Sequence, residues 1–272
     1  MLAMALIPQE SHEPSRNPRV WLIPLVTVLA VGINTAAAVV GAQAEQGSTP
    51  TLVDPAGYAF SIWGLIFLAN LVFAGYQALP SQREDKLLDR VAAPYVAGQV
   101  FAALFAVAAL IEITALAQAT TLLYFAAAVA TYVVLGVGVR DEGWTRRLAA
   151  WFPASLSAAW LFAASIVVVA AIVQNGLELA PPVGDGEAWA AVAIGFAVLV
   201  TTAVLMARRD FAFAAVVAWA LIAIGQEQIN EVVDASVIAA VAVIGLVALG
   251  SVPKPTVPFP WRRRRQQGVR AH

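Results

Sequence analysis

Residues 188–206 read AWAAVAIGFAVLVTTAVLM, a run without a charged side chain that ends just before Arg208 and Arg209. As an α-helix this run is about 28 Å long, because each residue adds about 1.5 Å. That length matches the hydrocarbon core of a lipid bilayer, which is about 30 Å thick. The run therefore predicts a transmembrane helix with two arginines at one end.

Similar runs recur along the whole chain. Of its 272 residues, 61% are hydrophobic and 12% are charged, and the mean hydropathy is +0.79. A soluble domain carries about a quarter charged residues. The runs predict eight transmembrane helices, over residues 20–42, 58–79, 95–117, 121–139, 148–173, 188–206, 211–226 and 232–250. Seven exceed the usual minimum of about 17 residues, whereas the run 211–226 reaches it only if charged neighbours are included.

Within these runs the polar residues occur singly and do not alternate with apolar ones, as they would in a membrane β-barrel. Backbone hydrogen bonds in lipid must then be satisfied inside helices. We predict an all-α integral membrane protein with about eight transmembrane helices.

Basic residues set the predicted orientation. With eight spans, all 16 Lys and Arg residues fall on one face, whereas the 17 acidic residues divide between both faces. The positive-inside rule makes the basic face cytoplasmic. We therefore expect a multi-pass protein of the cell membrane with both termini in the cytoplasm. A wrong span count would split the basic residues between the faces, so their distribution independently supports the number eight.

The chain lacks the side chains that several kinds of protein chemistry need. The chain has no cysteine, and its two histidines, His12 and His272, lie in the tails. Lys86 and Lys254 lie outside the spans, which argues against a retinal Schiff base. We therefore predict no metal site, no cofactor and no enzymatic activity. Membrane lipid is the expected partner, nucleic acid is not, and a homodimer stays open.

Two stretches carry a resemblance to a known family. Residues 54–80, DPAGYAFSIWGLIFLANLVFAGYQALP, resemble the second helix of the translocator proteins, also called tryptophan-rich sensory proteins (TspO/MBR), in their longer bacterial branch. Residues 153–170, PASLSAAWLFAASIVVVA, resemble the fifth helix of that family. The resemblance implies a five-helix translocator-like core at residues 19–175, followed by three additional helices at 188–251. Cytoplasmic tails at 1–18 and 252–272 would flank them.

The resemblance also implies a function. Translocator proteins bind flat lipophilic molecules such as tetrapyrroles, including porphyrins, or sterols, so the chain is expected to sense or carry such a ligand without catalysis. The candidate ligand-binding residues are Tyr58, Phe60, Trp63 and Trp160. Trp63 lies about 8 Å inside the outer end of its helix and Trp160 about 19 Å inside its own. A ligand that touched both would therefore have to be large.

Other interpretations remain open. Tyr58 and Phe60 also suit an interfacial aromatic belt, and Trp63 suits simple packing between helices. The chain is alternatively a secondary transporter of an unknown solute.

Glu227 and Glu231 would share a face and form a cation or proton site if their helix continued. Solvated acids in a five-residue turn are the favoured explanation, because no basic partner or deeper acid accompanies them. Asn34, Asn70 and Gln99 are expected to form interhelical hydrogen bonds.

The predicted topology can be tested with reporter tags. Tags at the two termini should both report the cytoplasm, because an even number of spans returns the chain to its starting side. A tag in the loop 81–93 should report the same side. Termini on opposite sides, or an external loop 81–93, would refute the eight-span arrangement.

Overall fold

The computed structural model describes residues 18–40, 51–139, 142–173 and 186–252. The predicted tails lie outside these residues except at Pro18 and Val252, as does the connection 174–185. The described residues form eight long helices and no strand. The helices are α1 (Arg19–Val39), α2 (Ile62–Ala78), α3 (Lys86–Leu110), α4 (Thr114–Leu135), α5 (Trp144–Ala171), α6 (Gly186–Arg208), α7 (Phe211–Glu227) and α8 (Glu231–Ser251). A 3₁₀ turn at Gly57–Ser61 leads into α2.

The helices confirm the predicted fold class. Seven elements are long and apolar enough to cross a membrane, and α7, with 17 residues, is the shorter one that the sequence also singled out. Large apolar side chains lie exposed along the outside of the bundle, including Leu68, Leu199 and Leu246. Such a surface requires lipid around it. The protein is therefore an all-α integral membrane protein.

The predicted bounds of the third and fourth spans were wrong. The structure turns at Ile111–Ile113, where Glu112 adopts a φ of 58°, and α4 begins at Thr114 rather than at residue 121. The sequence around Thr120 and Thr121 looks too polar for a helix in lipid. Both hydroxyls, however, donate hydrogen bonds to carbonyls of the preceding helical turn, so their polarity is satisfied locally.

Five helices close into a ring. Helix α1 packs against α2 and α3, α3 packs against α4, α4 packs against α5, and α5 returns to α2. Helices α6, α7 and α8 pack against one another, and α7 attaches this group to α5. Helix α5 is accordingly the most buried long helix, with 67% of its most apolar stretch inside the protein.

Basic residues gather at one end of the described helices, whereas acidic residues lie at both ends. On the end that we call the basic face, Arg19 pairs with Asp89 at 3.2 Å, Arg146 pairs with Asp85, and Arg208 donates to the carbonyl of Val137. The opposite, acidic face carries the acids Asp54, Glu112, Glu187, Glu227, Glu231 and Asp234. These contacts join the same helix ends that the eight-span threading brings together. Which face meets the cytoplasm stays a prediction.

A buried carboxylate joins α7 to the ring. Asp210 lies at the start of α7, where it caps the helix by accepting a hydrogen bond from the backbone N–H of Phe213. Its second carboxylate oxygen accepts hydrogen bonds from the hydroxyls of Tyr132 on α4, at 2.9 Å, and Ser155 on α5, at 2.6 Å. Three donors from three helices therefore stabilise one buried charge.

A glycine allows the closest approach between the ring and α6. Gly138, in the connection between α4 and α5, has a φ of +72°, and an added Cβ would lie 2.0 Å from the carbonyl oxygen of Arg208. The same connection accepts the hydrogen bond from Arg208 at Val137. Only glycine fits here, because it tolerates a left-handed backbone and needs no room for a side chain.

Substitution of this glycine should destabilise the protein. We expect Gly138→Ala to lower the free energy of unfolding by about 2–4 kcal/mol, since left-handed strain and overpacking each cost on the order of 1–3 kcal/mol. Denaturation in detergent would measure this change. The matched control is Gly195→Ala, which adds a Cβ to a helix with nothing within 4 Å. Equal stability of the two variants would contradict the prediction.

Candidate ligand-binding site

The ring of five helices encloses a layer of aromatic side chains. The ring of Trp63 on α2 meets Trp160 on α5 edge to face, with centroids 6.2 Å apart. Phe60 also meets Trp160 edge to face, at 5.9 Å. The structure thus brings three of the four candidate residues together. The expected separation of Trp63 from Trp160 was wrong, because a count of residues from the outer helix ends leaves out the reach of the two indole side chains, whose rings are in contact.

Tyr58 lies apart from this group. Its side chain is 40% exposed, and its ring meets Trp219 of α7 edge to face at 5.2 Å. The resemblance grouped it with Phe60 and Trp63 because these three residues belong to one motif. The 3₁₀ turn instead directs Tyr58 and Phe60 to different helices.

Tyr124 completes the layer, although the sequence analysis did not single it out. Its ring stacks on Trp63 with centroids 6.4 Å apart and an interplanar angle of 16°. It also packs against Gly98 of α3, where an added Cβ would lie 3.4 Å from the ring. We call Phe60, Trp63, Tyr124 and Trp160 the aromatic layer. A tyrosine in an apolar helix carries no local sign of such a role.

A polar network lies on the basic-face side of the aromatic layer. The Asn70 amide donates hydrogen bonds to the carbonyl of Ile66 at 2.9 Å and to the hydroxyl of Ser157 at 3.3 Å. Gln99 donates to the side-chain oxygen of Asn70 at 3.4 Å. The hydroxyls of Tyr95 and Thr27 lie 3.1 Å apart and extend the network to α1. The predicted interhelical roles of Asn70 and Gln99 are therefore confirmed.

Asn34 has the same kind of role on α1. Its amide donates to the carbonyl of Ala102 on α3 at 3.1 Å, as well as to Ala30 within its own helix. The prediction of an interhelical hydrogen bond is confirmed here too.

A small cavity adjoins both the layer and the network. The centre of a water molecule can move within a volume of about 20 Å³ inside it. That volume holds about one water. Its lining combines polar and aromatic groups from α2, α3, α4 and α5, among them Asn70, Gln99, Tyr124 and Ser157. The aromatic layer and the polar network therefore meet at this cavity inside the ring.

One polar group of the aromatic layer has no partner among the described residues. Trp160 is 3% exposed, and its indole N–H is buried without a hydrogen bond. An unpaired buried donor carries a free-energy cost of about 1–3 kcal/mol. A ligand that supplied an acceptor oxygen or nitrogen here would remove that cost.

The acids of the acidic face do not form the conjectured cation site. Helix α7 ends at Glu227 and α8 begins at Glu231, with Asn230 capping the new helix, so the two acids do not share one helix face. Glu227, Glu231 and Asp234 are all exposed. Across the described part of the chain, His, Cys, Asp and Glu form no group of three able to hold a metal ion.

A comparison with known protein families gives a match. The family model described as TSPO-like protein matches residues 20–252, which span all eight helices rather than the first five alone. Comparisons with curated proteins and with solved structures found no match. The match covers most of the 272 residues, so the chain belongs to the TSPO-like protein family.

Proposed function

We propose that this protein binds a flat lipophilic molecule, such as a tetrapyrrole or a sterol-like compound, and senses or carries it without catalysis. The observation that carries the proposal is the aromatic layer beside a small cavity with a few polar groups in its lining, with the unpaired indole N–H of Trp160 inside the layer. Aromatic walls with a few convergent polar groups are the usual composition of a small-molecule site.

The geometry suggests how the ligand is held. A planar ring system would replace the ring contacts between Trp63 and Tyr124, which already stack nearly parallel. Trp160 meets Trp63 edge to face and would offer its N–H to an acceptor at the ligand edge. Gln99 lines the cavity, and among the described residues its amide donates one hydrogen bond, to Asn70, so its second N–H suits a carboxylate or carbonyl group.

Binding requires the site to open. A drug-sized ligand occupies a pocket of about 300–1,000 Å³, whereas the cavity has room for little more than a water molecule. The ligand must therefore separate the rings of the aromatic layer. We propose that this rearrangement, and not a chemical step, is the event that the protein reports or uses for carriage.

Porphyrin titration of the detergent-solubilised protein, followed by tryptophan quenching, tests the proposal. Wild type should show saturable quenching. Trp63→Phe and Trp160→Phe should each weaken binding about 2- to 12-fold, because an aromatic pair contributes about 0.5–1.5 kcal/mol beyond its buried area. The matched control is Trp144→Phe, since Trp144 is 72% exposed at the basic end of α5.

Two results would contradict the proposal. Quenching that does not saturate would show that the protein has no specific porphyrin site. Equal weakening by all three substitutions would show that the site is not at the aromatic layer. Proton- or sodium-driven uptake of a solute by vesicles that contain the protein, with no porphyrin binding, would favour the secondary transporter instead.

A further inference from the structure

The loop that leads into α2 is held by α7 rather than by the ring. We call residues 51–61 the lead-in loop. The backbone N–H of Ala56 donates to the carbonyl of Ala223 at 3.0 Å. The Gln228 amide donates to the carbonyl of Asp54 at 3.0 Å, and the Trp219 indole donates to the carbonyl of Ala59 at 3.2 Å. All three hydrogen bonds come from α7 or from the residue that follows it.

Apolar contacts hold the same loop. Val53 is 2% exposed and lies over a small apolar cavity between α5, α6 and α7, beside Leu221 and Ile224. Leu52 lies against Gly186 at the start of α6, where an added Cβ would lie 3.4 Å from it. The beginning of the lead-in loop is thus packed against α5, α6 and α7.

Trp219 acts closest to the aromatic layer. Its indole N–H bonds the carbonyl of Ala59, which is the peptide group directly before Phe60. Its ring also supports Tyr58 edge to face. Phe60 in turn contacts Trp160. A continuous path of contacts therefore runs from α7 through the peptide of Ala59 to the aromatic layer.

We propose that α7, together with α6, positions the lead-in loop, and through it Phe60, with Trp219 as the positioning residue. The effect on ligand affinity rests on the proposed function, whereas the positioning of the loop does not. This gives α6 and α7 a role in the protein. They set the geometry of an aromatic site whose other members, Trp63, Tyr124 and Trp160, belong to the ring.

A cysteine reporter measures loop position directly. The chain has no native cysteine, so Ala59→Cys introduces a unique thiol at a position that is 0% exposed. Trp219→Phe retains a ring against Tyr58 but removes the N–H donor. We expect it to speed labelling of Ala59→Cys by a water-soluble maleimide about fivefold, the change in an opening equilibrium that follows loss of one hydrogen bond.

Matched variants separate positioning from general loosening. Trp189→Phe removes an indole of α6 whose N–H has no hydrogen-bond partner among the described residues, and should leave the labelling rate unchanged. Gln228→Ala should speed labelling as Trp219→Phe does, whereas Gln226→Ala, at an exposed position of α7, should not. A second reporter, Ala150→Cys, is buried near the basic end of α5 and should label at the same rate in every variant.

The outcomes decide the two proposals separately. Unchanged labelling of Ala59→Cys, or equal acceleration at Ala150→Cys, would overturn the positioning role. If labelling accelerates, Trp219→Phe should also weaken porphyrin binding severalfold while Trp189→Phe does not. Faster labelling with unchanged affinity would overturn the link between the loop and the site. Absence of porphyrin binding in wild type would overturn the proposed function. The labelling rates alone would then decide whether α7 positions the loop.

Discussion

The bilayer interior contains no water to hydrogen-bond a polar group, and this constraint governs the rest of the structure. Helices satisfy the backbone, and each polar side chain within the bundle must find a partner on its own or a neighbouring helix. Thr120 and Thr121 bond to their own helical turn. Asn70 reaches from α2 to Ser157 on α5. The few polar side chains therefore specify which apolar helices meet.

Helix α5 shows how these contacts combine. It touches α2 through Ser157 and α7 through Ser155, two residues apart on one helix. Ser155 shares the Asp210 carboxylate with Tyr132 of α4. One helix thus joins the interior of the ring to the last three helices. Apolar helix surfaces alone could slide along one another, and the polar contacts favour a single register.

Buried hydrogen-bond donors without a partner affect the structure differently from paired ones. A fully paired network stabilises one arrangement, whereas a buried donor without a partner favours whatever supplies an acceptor. The indole N–H of Trp160 is such a donor, and it lies within an aromatic layer that adjoins a cavity of little more than one water. The aromatic layer is thus closed but has an unpaired donor, and this combination supports the proposed binding of a ligand.

The sequence by itself determined the helical class, the number of long helices, the membrane environment and the gathering of the basic residues at one set of helix ends. These properties follow from run length, composition and charge, which are local. It also identified Phe60, Trp63 and Trp160 through a family motif. Only the tertiary structure showed that Trp63 and Trp160 touch, that Tyr124 joins them, and that Tyr58 turns to Trp219. The partners in these contacts lie on different helices, and Trp219 is 160 residues from Ala59. Which faces of apolar helices meet depends on packing and on a few long-range hydrogen bonds, and no local pattern encodes that choice.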